Sequence, residues 1–312
     1  MSKTEYLKEV LDTHKMSKIQ TLVDKYNSKR NEVENAIKEH YDSKIYNVFI
    51  SGSFAKHTAT NIKFDMDVVV PFKRDSFDTL EKIFDDVYVF LSDKFNGKAK
   101  IRKQKVSVGI IFNKDNDEDE IPIDVVPGRE LNKDEYKTTN DLNLYFNEDH
   151  WGFKKGTWTK TNIQAQIDNI KGKQSEREII RLLKIWKKNS NKDYKSFMIE
   201  LFVIKAFENY TESSDLWTRL KYAMQYIADN VTNNNFSLID PGNSNNDLLA
   251  KMDSVIKQKL ANDMKNIISN VEINDDSLKI YFPVNEKYQN SKQEKGFGEN
   301  VVSYPPTAKR FG

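Results

Sequence analysis

The chain has 312 residues, 38% hydrophobic, 31% charged and 12% aromatic, with 49 Lys and Arg against 47 Asp and Glu for a net charge of +2. That length supports a sizeable core and suggests two domains, and the aromatic content excludes wholesale disorder. The near balance of charge excludes a general polyanion-coating role, and the absence of cysteine excludes disulfides, thiolate zinc sites and cysteine nucleophiles.

In chain order, Met16, Ile19, Val23, Tyr26, Val33 and Ile37 recur at steps of three and four, which predicts one long amphipathic helix ending near Tyr41. Ile45 to Ile50 reads as a strand that stops at the small-residue turn Ser51-Gly52-Ser53. Met66 to Phe72 is apolar except for Asp67 and reads as a strand buried on both faces. Phe77, Leu80, Ile83, Phe84, Val87 and Leu91 predict a covering helix, followed by strands at 106–112 and 121–126 around an acidic loop at 115–120, read as a solvated hairpin loop. Residues 130–175 are polar with scattered aromatics, and helical stripes then dominate. These are Ile179 to Trp186, the almost wholly apolar Phe197 to Phe207, Leu216 to Ile227, and Leu248 to Met264. Asp240-Pro241-Gly242 breaks the chain before the last of them, and Leu278 to Phe282 reads as a strand before a polar, mobile tail. No run approaches the roughly 18 apolar residues of a membrane span. The opening MSKTEYLKEV lacks an apolar signal region, so a cytoplasmic protein is expected.

The chemistry concentrates in Gly52-Ser53 and Asp65-Met66-Asp67. Strand residues i and i+2 share a face, so Asp65 and Asp67 present two carboxylates together at the start of an apolar strand. Such a pair repels and is costly to bury unless a cation compensates it, and oxygen ligands suit Mg²⁺. Asp124 lies in a second apolar run, Ile123 to Val126. If those strands pair, three carboxylates converge as a two-metal phosphoryl-transfer site requires. Gly52-Ser53 supplies a turn whose backbone N–H groups and hydroxyl can cradle phosphates. A lone Asp-x-Asp also occurs in glycosyltransferases and in structural turns; the ordered set is far more specific.

GSFAKHTATNIKFDMDVVV together with IDVVPG resembles the polymerase-β-like nucleotidyltransferase superfamily, and within it the bacterial CD-NTases related to cyclic GMP-AMP synthase and 2′-5′-oligoadenylate synthetase. REIIRLLKIWKKNSNKDYKSFMIELFVIKAF is similar to that family's paired helices and LIDPGNSNND to its Asp-Pro loop, so the resemblance spans residues 15–285. It implies an α/β (α+β) bilobed fold. A mixed-sheet nucleotidyltransferase core with an N-terminal spanning helix would occupy 1–155, a helical lobe 156–285 and a flexible tail 286–312. Asp65, Asp67 and Asp124 would be the catalytic residues and bind two Mg²⁺ ions, with Mn²⁺ an acceptable substitute. Gly52 and Ser53 would hold the donor triphosphate, Lys184 and Ser196 would contact phosphate, and Phe197 would stack on a base. Read without the resemblance, Lys184 equally fits a solvated basic face with Lys187 and Lys188, Phe197 fits the core, and Ser196 fits a helix cap. His57 stands where many relatives carry a small residue or glycine.

The implied activity is synthesis of a cyclic di- or trinucleotide from ATP, GTP or other NTPs in antiphage, CBASS-type signalling, with a downstream effector that reads the product. The C-terminal Gly312 suits conjugation by a ubiquitin-transfer-like ligase, against the default of a disordered remnant. The densest basic group, Lys98, Lys100, Arg102, Lys103 and Lys105, alternates like the exposed face of a strand, so no strong nucleic-acid or membrane partner is expected. The rival readings are a nucleotidyltransferase acting on RNA or protein, and a catalytically silent nucleotide-binding sensor.

Overall fold

A computed structural model describes residues 1–62, 64–113, 120–148, 155–211 and 214–289. The acidic loop, apart from Glu120, and the tail from residue 290 with Gly312 lie outside them. Helix α1 (Lys3–Thr13) starts at a capping box, in which the Ser2 hydroxyl accepts from the Glu5 N–H and the Glu5 carboxylate accepts from the Ser2 N–H. The expected long helix is shorter than its stripe: Met16–Ile19 forms a 3₁₀ turn, and α2 runs from Gln20 to Tyr41. The turn lets the chain pass from one hydrophobic core to another. Leu7 and Val10 are buried among the C-terminal helices, whereas Val23, Val33 and Ile37 pack with the sheet.

The sheet carries the candidate carboxylates. Strand β1 (Phe49–Ser51) is shorter than the apolar run preceding it, because Ile45 makes only an isolated bridge to Phe72. A four-residue helix α3 (Gly52–Ala55) follows, then β2 (Met66–Phe72), buried along nearly its whole length. Helix α4 (Leu80–Lys94) is capped by the Thr79 hydroxyl and lays Ile83, Phe84, Val87 and Leu91 on the sheet. Strands β3 (Ala99–Lys103), β4 (Val108–Phe112) and β5 (Ile121–Glu130) complete the path β1-β2-β5-β4-β3. Only β2 and β5 pair in parallel. Lys100, Arg102 and Lys103 lie exposed on β3, as their alternation suggested. After the short helix α5 (Tyr136–Thr139), two strands hidden in the polar stretch, β6 (Leu142–Tyr145) and β7 (Trp158–Thr161), extend the sheet from β5.

The helical part consists of α6 (Ile163–Asp168), α7 (Gln174–Asn189), α8 (Ser196–Phe207), α9 (Leu216–Asn230), α10 (Ser254–Ile273) and α11 (Ser277–Tyr281). A small hairpin, β8 (Ile239–Asp240) and β9 (Asn243–Asp247), occupies the Asp-Pro break. Helix α8 is buried on nearly all sides, as its composition predicts. The strand expected at 278–282 is instead helix α11: Leu278 and Phe282 are buried while Ile280 is 69% exposed, a phase of four rather than two. Among the described residues no helix is long and apolar enough to cross a membrane.

Ile123 lies on β5, fully buried and paired in register with Met66. Ile123→Ala should lower unfolding stability by about 2–5 kcal/mol in urea denaturation, the range of a buried aliphatic truncation.

Candidate functional site

Sheet register brings the carboxylates to one edge. Ser51 pairs with Asp67 across β1 and β2, and Asp67 pairs with Asp124 across β2 and β5. Side chains paired in register share a face, and Asp65, two residues before Asp67, adds a third carboxylate at the strand entry. Burial, followed by the charges of Asp65 and Asp124, pushes the Asp67 carboxyl up to about 7; Lys56 opposes this. Asp124 is also raised, by burial first and Asp65 second, although it accepts a hydrogen bond from the Gln104 amide at 3.1 Å.

The turn and the carboxylates are built against each other. Gly52 has φ +68°, and a Cβ there would lie 1.8 Å from Asp67 Oδ2. Only glycine lets the turn approach the carboxylate this closely in that conformation. Ser53 follows, and its carbonyl accepts from the Thr58 N–H at 2.9 Å.

These residues line a cleft of about 630 Å³ between the sheet edge and helices α7 and α8. Gly52, Ser53, Asp65, Asp67, Lys184, Ser196 and Phe197 all border it. Asp124 sits one strand deeper, joined to it through Asp67. Three lysines of α7, Lys184, Lys187 and Lys188, line the cleft from the helical side, and Lys56 lines it from the loop after the turn. Lys184 is not on a solvated face: its ammonium donates to the Thr58 carbonyl at 3.0 Å and to the Thr58 hydroxyl at 2.8 Å. Burial brings its pKa down to about 8, against the opposing charge of Glu200. Ser196 does not cap α8, because Lys195 holds the cap position; its hydroxyl accepts from Lys187 Nζ at 2.6 Å. Phe197 is half-buried, packed against the helical core with Lys56 Nζ 4.4 Å from its ring centre. His57 carries a positive φ of 55°, the conformation in which glycine is favoured, and does not border the cleft.

Several site groups escaped the sequence reading. Lys56 and Glu200 form an enclosed ion pair at 2.7 Å across the cleft. The signal was present in the single acid of the apolar segment Phe197–Phe207, since a charge in a buried helix requires a partner. Gln166, also in the cleft wall, gives its amide N–H to both oxygens of buried Asp240 at 2.9 and 3.2 Å. The Asp-Pro hairpin therefore fixes the orientation of a cleft amide, because a carboxylate can only accept and the amide must turn its NH₂ end toward it.

Among the described residues no group of three His, Asp or Glu side chains is arranged so that it could hold a metal ion. By donor chemistry alone the three aspartates would suit a hard divalent cation. They offer oxygen alone, they repel one another, and Lys56, the cation opposing that repulsion, is already paired with Glu200.

No family model matches the chain. It is 25% identical over 215 residues, 64% of its own length, to cyclic AMP-AMP-AMP synthase of Escherichia coli strain MS 115-1. It is 26% identical over 202 residues, 59% of its length, to the CBASS oligonucleotide cyclase CdnC of E. coli strain KTE188. The aligned regions span 61% and 58% of those relatives, about three fifths of each. In fold it is similar to the CD-NTase CdnG of Bradyrhizobium diazoefficiens solved with GTP, at a TM-score of 0.70 and 11% identity over 89% of this chain and 94% of that one. The likeness to bacterial CD-NTases implied by the motifs therefore holds in sequence and in the polymerase-β-like fold.

In chelator, the Asp67 carboxyl stays protonated in the folded chain up to about pH 7, whereas an unfolded chain releases that proton near pH 4. Its contribution to stability therefore falls as pH rises between those values. The stability of Asp67→Asn minus that of the parent should grow from near zero at pH 4 to about 2–4 kcal/mol above pH 7, measured by denaturation in EDTA. Gly52→Ala should lower stability by about 2–4 kcal/mol in the same assay, through the clash with Asp67 and the positive φ.

Proposed function

We propose that the chain is a Mg²⁺-dependent nucleotidyltransferase that joins NTPs into a cyclic di- or trinucleotide for CBASS-type antiphage signalling. The observation that supports this best is the cleft itself: Asp65 and Asp67 line it together with three lysines of helix α7, Lys184, Lys187 and Lys188, and a glycine turn is pressed against Asp67. A triphosphate fits this polarity, with its oxygens toward the lysines and its α-phosphorus near the carboxylates. Lengthwise, Gly52 and Ser53 offer the turn, Lys184, Lys187 and Ser196 the phosphate wall, and Phe197 a ring for the base.

A ribose hydroxyl loses its proton and attacks the α-phosphorus, a new phosphodiester forms, and pyrophosphate leaves; a second round closes a dinucleotide ring and a third a trinucleotide ring. Asp65, Asp67 and Asp124 would hold two Mg²⁺ ions, which when bound supply charge to the attacking and leaving oxygens. Asp124 would also help to activate the attacking ribose hydroxyl by lowering its pKa through the metal. The helical wall of α7 and α8 excludes water around the phosphates and strengthens each charge–charge contact there. On this reading residues 1–155 and 156–285 would work as two lobes around the cleft, with β7 completing the sheet of the first and α1 packing on the helices of the second. Beyond the cleft, the reading includes an effector that binds the product and a ligase that conjugates Gly312.

The purified chain is given α-labelled NTPs and Mg²⁺, and the products are treated with phosphatase. A phosphatase-resistant product should form, and Asp65→Ala with Asp67→Ala should lower its rate by about 10³-fold or more, the scale of losing a charge clamp in phosphoryl transfer. Label carried instead by RNA or protein would favour the rival acceptors. Mg²⁺-ATP binding without turnover would favour a sensor.

A further inference from the structure

Helix α7 grips the residues after the glycine turn in an unusual way. Arg177 Nε donates to the Lys56 carbonyl at 3.1 Å, and Arg181 Nη1 to the His57 carbonyl at 3.3 Å. Lys184 Nζ donates to the Thr58 carbonyl at 3.0 Å. Positions 177, 181 and 184 fall on one face of a helix, and they meet three consecutive carbonyls in the same order. The segment is a turn: Lys56 keeps the right-handed helical conformation at the end of α3, and His57 reverses the chain with its positive φ of 55°. A left-handed conformation at a histidine costs about 1 kcal/mol, and three like charges along one helix face repel each other. The three charge-assisted hydrogen bonds oppose both costs where the helix and this loop meet.

The gripped segment is tied back to the turn. The Lys56 N–H donates to the Gly52 carbonyl at 3.2 Å, the His57 N–H to the Phe54 carbonyl at 3.1 Å, and the Thr58 N–H to the Ser53 carbonyl at 2.9 Å. Each carbonyl held by α7 therefore belongs to a residue whose N–H holds the turn. Thr58 is fully buried, and the enclosed Lys56–Glu200 pair adds a crossing to α8. Arg177 and Arg181 do not border the cleft, so their influence on a ligand passes through Gly52 and Ser53.

We infer that Arg177 and Arg181, with Lys184 as third member, are positioning residues by which the helical lobe sets the height and orientation of the Gly52–Ser53 phosphate turn. This rests on the reading of the cleft as an NTP site. The arginines act on donor-triphosphate binding without touching the nucleotide, and Lys184 is first a ligand of Thr58.

The test is Arg177→Gln with Arg181→Gln in the full chain, beside the corresponding pair of lysine substitutions. Circular dichroism should show an intact fold, while amide hydrogen exchange at residues 52–58 accelerates about tenfold or more, the effect of losing charge-assisted bonds. In synthesis assays the glutamine pair should raise KM for the donor NTP about tenfold with a smaller loss in kcat, and the lysine pair should recover most of both. If the glutamine pair unfolds the chain, the single Arg181→Gln, on a half-buried side chain, carries the same comparison. Unchanged exchange at 52–58 in a folded variant, or a KM that does not move, overturns the inference. The exchange measurement needs no synthesis. Failure of the parent chain to make any product would therefore overturn the proposed reaction and leave the positioning role to be decided by exchange alone.

Discussion

Everything in this molecule is arranged around carboxylates that the sheet register forces together. The pairing of Asp67 with Asp124 follows from the apolar strands β2 and β5 aligning in parallel, and that of Ser51 with Asp67 from the antiparallel ladder of β1 and β2. Burying those strands is favourable, and the aspartates are carried into proximity with them. The cost appears in Asp67, whose carboxyl burial and like charge push up to about 7. A fold that kept such a cluster for stability alone would gain nothing from it, since apolar residues would pack the same edge more favourably.

The helical part makes the other half of the cleft and is joined to the sheet by directed polar bonds. Arg177, Arg181 and Lys184 hold the loop after the turn, and Lys56 meets Glu200 across the gap. Enclosed ion pairs add little net stability, but they fix geometry, because a displaced partner leaves an unpaired charge in low dielectric. The N-terminal segment adds a second connection. Helix α1 packs with the helical core and α2 with the sheet, and the Asn61 amide donates to the carbonyls of Thr13 and Lys15 at the junction between them.

Much of this was legible in the sequence where one physical signal dominated. The apolar run around Asp67, the amphipathic stripes of α4, α7 and α9, and the almost wholly apolar α8 each have a single low-energy reading. The aspartates could be named because carboxylates inside apolar strands demand compensation. The reading failed where a pattern was short or depended on distant partners. Residues 278–282 alternate like a strand, yet Leu278 and Phe282 both reach the helical core only as neighbours on a helix. The stripe from Met16 continued that of α2 but did not reveal the 3₁₀ turn needed to pass between two cores. Strands β6 and β7 lie in a polar stretch, and they join the sheet through the pairing of β6 with β5. Lys184 reads from its neighbours as a solvated lysine; only the return of the loop to α7 gives it Thr58.

The central claim is that Asp67 is a carboxylate awaiting a cation, and its titration measures that directly. Asp-selective ¹³C labelling, with Asp67→Asn to assign the signal, would follow its carboxyl carbon against pH in chelator and again with Mg²⁺ and ATP. The account expects a midpoint near 7 in chelator, falling by two units or more, about 3 kcal/mol, when Mg²⁺ and ATP are added. A midpoint near 4 under both conditions, unmoved by Mg²⁺, would contradict it.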